Sequence, residues 1–129
     1  MFIRIDPKTN VALYEQVIQQ IKEMCARGLL KPDDKLPSVR ELSAQIVINP
    51  NTVAKAYKEL ERQGVIVTVR GKGTFIAEFE SQEVTEKQKH KIKKDIEKLI
   101  IECKYLGISN DQLKQWVDEL NLDLMDKNK

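Results

Sequence analysis

The strongest constraint on this chain follows Gly64, where the spacing of apolar residues changes from helical to extended. Val65-Ile66-Val67-Thr68-Val69 is β-branched throughout, and Thr74-Phe75-Ile76 is a second β-prone run. Arg70-Gly71-Lys72-Gly73 stands between them. The two runs are therefore predicted to pair as a β-hairpin whose tip carries two cations and no acid.

Upstream of the hairpin the pattern is helical in three segments. Tyr14, Val17, Ile18, Ile21, Met24 and Cys25 recur at spacings of three and four, which predicts a helix over 12–27 with one apolar face and Gly28 as its left-handed terminator. Lys31-Pro32-Asp33-Asp34 reads as a tight turn. Ser38-Val39-Arg40-Glu41 has the form of a capping box, opening a short helix whose inner face is Val39, Leu42 and Ile46. Asn49-Pro50 opens the third helix, with a capping Asn outside it and Pro in a first turn that needs no N–H. Val53, Ala56, Tyr57 and Leu60 form its inward stripe, leaving Asn51, Lys55, Lys58 and Arg62 on the opposite face.

Residues 80–86 hold three glutamates in seven positions with no apolar periodicity, and read as a linker. Beyond it, Ile92, Ile96, Leu99, Ile100 and Cys103 mark a helix over 85–105, closed by Gly107. Ser109 and Gln112 form another capping box before a last helix with Leu113, Trp116, Val117, Leu120 and Leu124 as its stripe. This divides the chain into a region with the element order of a winged helix-turn-helix, 1–79, and a helical region, 80–129. The fold class is mainly α with a small β-hairpin. Two isolated amphipathic helices cannot bury both stripes against each other, so a symmetric second copy is expected to complete their core and make 80–129 a dimerisation region.

Composition narrows the function mainly by exclusion. Net charge is only +2, but residues 35–74 carry seven Lys or Arg against three acids. Such a local surplus suits phosphate binding. Cys25 and Cys103 lie on apolar stripes with no metal-ligand spacing and are expected to be small buried hydrophobes, and His90 sits in a lysine-rich stretch as a surface residue. No catalytic constellation can be assembled, and no metal or cofactor is implied. Gly71-Lys72-Gly73-Thr74 fails as a nucleotide-binding loop, because Lys precedes the second Gly and strand formers follow. Without an apolar run of about 20 residues or a signal-like start, the chain is expected to be cytoplasmic.

Three helices followed by a hairpin place the third helix to enter a major groove while the hairpin tip reaches the neighbouring backbone or minor groove. Asn51 suits bidentate pairing with adenine, and Lys55, one turn on, suits guanine acceptors or a phosphate. Asn49 and Thr52 can donate at the helix start, where free N–H groups favour an anion, and Arg40 contributes from the second helix. Asn49 and Lys58 also admit plainer readings, as a cap and a solvated charge, and Arg62 reads better as a solvated or dipole-compensating residue. Gly71 and Gly73 serve the turn, and also let the backbone approach a nucleic acid closely.

These residues together carry a resemblance. Leu13-Tyr14-Glu15-Gln16, Lys31-Pro32, Leu36-Pro37-Ser38-Val39-Arg40-Glu41-Leu42, Asn49-Pro50-Asn51-Thr52-Val53, Ala56-Tyr57, Glu59-Leu60-Glu61, Gly64 and Arg70-Gly71-Lys72-Gly73-Thr74-Phe75 resemble the GntR family of regulators. The short helical tail resembles its YtrA-like branch. The resemblance implies a winged helix-turn-helix that binds operator DNA as a homodimer, usually represses, and often governs a transporter operon. Carried over by position, the implied DNA contacts are Ser38, Arg40, Asn49, Pro50, Asn51, Thr52, Lys55, Arg70, Gly71 and Lys72. Asp33 departs from the family pattern, which usually has Gly there, and an altered turn without lost function is expected. Two third helices in successive major-groove turns, about 34–36 Å apart, would match an inverted-repeat operator. A small-molecule effector is left open, as is an alternative in which the winged helix serves protein assembly.

Overall fold

A computed structural model describes residues 3–78 and 84–125. The chain divides into two compact units, Met1–Glu80 and Ser81–Lys129. The first contains α1 (Leu13–Ala26), β1 (Lys35–Leu36), α2 (Val39–Ile46), α3 (Pro50–Arg62), β2 (Ile66–Val69) and β3 (Gly73–Ile76); the second contains α4 (Glu86–Leu106) and α5 (Asn110–Met125).

The helices begin and end where local chemistry directs. In α2 the Glu41 N–H donates to Ser38 Oγ and the Ser38 N–H donates to Glu41 Oε1, both at 3.1 Å, completing the capping box. That bond from the Ser38 backbone, followed by its hydroxyl, holds the Glu41 carboxyl below the usual carboxylate range. In α3 the Asn51 N–H donates to Asn49 Oδ1 at 2.8 Å and Pro50 occupies the first turn. Gly64, at φ +77, reverses the chain so that the Val65 N–H bonds the Leu60 carbonyl and β2 can begin.

The β structure is larger than the predicted hairpin. β3 lies at the centre of a three-stranded antiparallel sheet, between β2 and β1, with Val69 opposite Gly73 and Lys35 opposite Phe75. A strand of two residues has no alternation to read, which is why β1 is silent in sequence. The preceding turn sets it up. Asp34 N–H donates to the Lys31 carbonyl, Lys31 N–H donates to Asp34 Oδ2, and Asp33 sits at φ +72. Asp33 thus takes the left-handed backbone for which the family pattern has Gly, as an Asp side chain can.

Val17, Ile21, Leu42, Val53, Ala56 and Leu60 are wholly buried, and Ile3, Leu36, Tyr57, Ile66 and Ile76 complete the core. Every predicted inward residue of α3 is buried, whereas Val39 and Ile46 of α2 are half-buried. Cys25 is half-buried against this core rather than fully buried, and burial pushes its thiol up. Cys103 is also half-buried, a second correction to the expectation. The extended N-terminal segment is fixed along α1 by side-chain amides: Arg4 N–H donates to Gln20 Oε1 and Asp6 N–H donates to Gln16 Oε1, each at 2.8 Å.

Val47 closes α2 in the left-handed region, at φ +54, although it is β-branched and 87% exposed. That conformation crowds its Cβ, and little packing is lost with the side chain. Val47→Gly is therefore expected to raise unfolding stability by about 0.5–1 kcal/mol, after offsetting the greater chain entropy of glycine. A higher urea midpoint at unchanged slope would show it; a lower midpoint would contradict the strain.

In the second unit Thr85 caps α4 through a capping box with Gln88, a signal not predicted from sequence, and Gly107 ends the helix at φ +78. Ser109 Oγ accepts from the Gln112 N–H at 3.1 Å, one half of the box expected there. The proposed linker falls largely outside the described residues, as does the polar terminus after Met125. No described residue of α4 or α5 is buried.

Candidate nucleic-acid interface

The third helix presents two faces of opposite chemistry. Its inner face anchors it, since the Tyr57 hydroxyl donates to the Pro37 carbonyl at 2.7 Å and so fixes α3 against the start of α2. Burial holds that phenol well above its ordinary pKa. Thr68 Oγ1 donates to Glu61 Oε2 at 2.8 Å, which ties the wing to the same helix. Both bonds orient the elements that carry the candidate contacts.

The outer face is polar. Asn51, Lys55, Lys58 and Arg62 are exposed, as are Ser38, Arg40, Asn49 and Pro50, while Thr52 is half-buried. Because Asn49 Oδ1 is engaged in capping, its amide N–H groups are the part left to donate outward. Arg62 is not part of a free cationic surface. It grips Glu59, with Nε at 3.0 and 2.9 Å from the two carboxylate oxygens. Those bonds from Arg62, and a further one from Gln63, pull the Glu59 carboxyl down to about 2.

At the wing tip the Lys72 N–H bonds the Val69 carbonyl, closing a turn over Arg70 and Gly71. Gly71 lies at φ +79 and Gly73 at φ +124, conformations that suit glycine and bring backbone to the surface without a side chain over it. Arg70, Gly71 and Lys72 are exposed, and Gly73 is half-buried. A Cβ on Gly73 would stand 2.9 Å from Lys35 Cε, so the Lys35 side chain runs alongside the wing. Lys35, one of the seven cations of residues 35–74, belongs to β1, and no periodicity in the sequence places it beside the wing. Tyr14 was also missed as a site residue: the Lys55 ammonium lies 3.9 Å from its ring centroid.

In the second unit most described residues are exposed, the predicted apolar ones among them, together with Ile101, Tyr105, Leu106, Leu122 and Met125, which lie outside the predicted stripe. Ile92 is 60% exposed, Leu99 59% and Leu120 62%, and Ile96, Trp116 and Val117 are exposed too. Ile100, Cys103, Leu113 and Leu124 are half-buried. His90 is exposed, and three of the lysines around it pair with acids one turn away, Lys89 with Glu86, Lys91 with Asp95 and Lys94 with Glu97. Among the described residues no helix is long and apolar enough to cross a membrane.

Residues 13–76, which span α1 through β3, match the model of the family described as "Bacterial regulatory proteins, gntR family". Over 95% of its length the chain is 49% identical to the HTH-type transcriptional repressor YtrA of Bacillus subtilis, covering 94% of that protein. The chain belongs to the GntR family. As a GntR-family protein it is a transcriptional regulator, not an enzyme. Two solved structures place the fold. The transcriptional antiterminator from Listeria monocytogenes EGD-e superposes with a TM-score of 0.90 at 40% identity, over 97% of this chain and 92% of that one. AraR(DBD), solved in complex with operator ORE1, is 33% identical over 57% of this chain and 89% of that one, with a TM-score of 0.50.

Proposed function

We propose that the chain is a sequence-specific repressor that binds an inverted-repeat operator as a homodimer. The observation that supports this most is the outer face of α3, where Asn51 and Lys55 stand exposed beside a capped N-terminus while the opposite face is locked into the core. Asn51 reads adenine, Lys55 takes a guanine acceptor or a phosphate, and Asn49, Pro50 and Thr52 set the helix start against the backbone. Ser38 and Arg40 add contacts from α2. Arg70, Gly71, Lys72 and Gly73 bring the wing to a phosphate or the minor groove. A relative 49% identical is named a repressor, and AraR(DBD) is seen with operator DNA, both of which fit this assignment.

Support for the dimer comes from α4 and α5. Ile92, Ile96, Leu99, Ile100, Cys103, Leu113, Trp116, Val117, Leu120 and Leu124 remain exposed or half-buried in a single chain, and a second copy would cover them. By its YtrA-like resemblance the regulated operon encodes a transporter.

The test is titration of the DNA upstream of the protein's own operon at two salt concentrations. Asn51→Ala is expected to weaken the preferred site by about 1–3 kcal/mol while leaving random DNA almost unchanged. Lys72→Ala should weaken both alike and lower the salt slope by about one unit. An unchanged slope would remove the wing from the interface. Equal affinity of the wild-type protein for upstream and random DNA would instead favour a module for protein assembly.

A further inference from the structure

Lys55 has no ion pair among the described residues, although two carboxylates lie close to the ring it covers. Each carboxylate is engaged elsewhere. Glu15 accepts the Tyr14 hydroxyl at 3.2 Å, and Glu59 is held by Arg62 and Gln63. The ammonium instead rests on the neutral face of Tyr14, with its positive charge uncancelled. Glu15, by its charge and its hydrogen bond, raises the Tyr14 pKa above its ordinary value.

Tyr14 is itself well seated. It is half-buried against the core, in the first turn of α1, and a shallow groove brings Leu13 and Tyr14 beside Asn51, Thr52 and Lys55. A lysine has a long flexible stem, and ordering it at an interface costs conformational entropy. Holding the stem over a fixed ring removes part of that loss before DNA arrives.

We infer that Tyr14 is a positioning residue of the DNA interface: its ring holds the Lys55 ammonium, unpaired and pre-ordered, beside Asn51 for delivery to a base or phosphate. This rests on the operator-binding role given above. It also makes the start of α1 part of the reading surface, which is otherwise built from α2, α3 and the wing. The role of the ring is its face and its fixed position.

Two measurements on the full-length protein test this, with Tyr14→Phe, Tyr14→Leu, Lys55→Met and the Tyr14→Leu/Lys55→Met pair. In NMR spectra without DNA, the Lys55 Hε protons should be shifted upfield by the ring, keep that shift in Tyr14→Phe and lose it in Tyr14→Leu. In operator titrations Tyr14→Phe should bind within about twofold of wild type, and Tyr14→Leu should bind about 3- to 10-fold more weakly. On the Lys55→Met background Tyr14→Leu should have no further effect, because the coupling acts only through the ammonium. Thermal melts of each variant separate lost folding from lost delivery.

Lys55 shifts at ordinary exposed-lysine values in a wild-type chain that still binds operator would overturn the platform alone. So would a Tyr14→Leu loss that persists undiminished on the Lys55→Met background. A wild-type chain with no preference for operator would remove the DNA role, and this delivery with it, while the ring-current shift stayed intact.

Discussion

Leu99→Glu is expected to convert a dimer into a monomer and to lower operator affinity by about 10²-fold or more, since linked binding at two half-sites exceeds single-site binding by 10²–10⁴. In one chain the Leu99 side chain is 59% exposed, so a carboxylate there meets water and leaves the hairpin of α4 and α5 intact. Against a second copy the same carboxylate would be buried without a partner, at a cost far above that of a lost apolar contact. Sedimentation equilibrium and operator titration on one preparation check the two effects together. A variant that stays dimeric would move the interface away from this stripe.

Leu60→Ala is expected to destabilise the DNA-binding unit by about 3 kcal/mol, within the 2–5 usual for a buried leucine. Leu60 is wholly buried on the inner face of α3, in the same buried core cluster as Val53, Ala56 and Tyr57. Domains of this kind are stable by only about 5–15 kcal/mol in total, so the loss is a large share. The urea midpoint should fall at unchanged slope, at one fixed protein concentration. Leu29→Ala, at an exposed position, should stay within about 0.5 kcal/mol of wild type, and equal effects of the two would contradict the assigned core.

What was legible in the sequence is what short-range chemistry fixes. Ser38 with Glu41, and Asn49 with Pro50, mark two helix starts within four residues each, and both form as their spacing predicts. The β-branched run after Gly64 likewise pairs across the two-glycine turn. What escaped notice depends on contacts far apart in the chain. Lys35 and Leu36 are a strand only because Phe75 and Thr74 lie beside them. Tyr14 and Lys55 meet across 41 positions, and in sequence Tyr14 reads simply as the first residue of an apolar stripe. Val47 is a different case: nothing in its type announces a left-handed backbone, since β-branched residues avoid it, and the tight reversal between α2 and α3 imposes it.

The candidate contacts divide in the same way. The face of α3 followed from helical periodicity alone, but its electrostatics did not. Arg62 shares that face with Lys55 and is neutralised by Glu59 one turn before it, so among the described residues Lys55 and Lys58 are the helix cations without an ion pair, and the wing supplies Arg70 and Lys72. The local surplus of charge in 35–74 is thereby concentrated near the helix start and the hairpin tip, where α3 and the wing would meet a duplex.

The central claim, sequence-specific binding through α3 and the wing, is tested most directly by footprinting the wild-type protein and Asn51→Ala on the DNA upstream of its operon. The wild-type protein should protect two symmetric half-sites centred about one helical turn apart, and Asn51→Ala should lose that pattern while still binding weakly along the fragment. Uniform weak protection by the wild-type protein, or an unchanged footprint with Asn51→Ala, would contradict it.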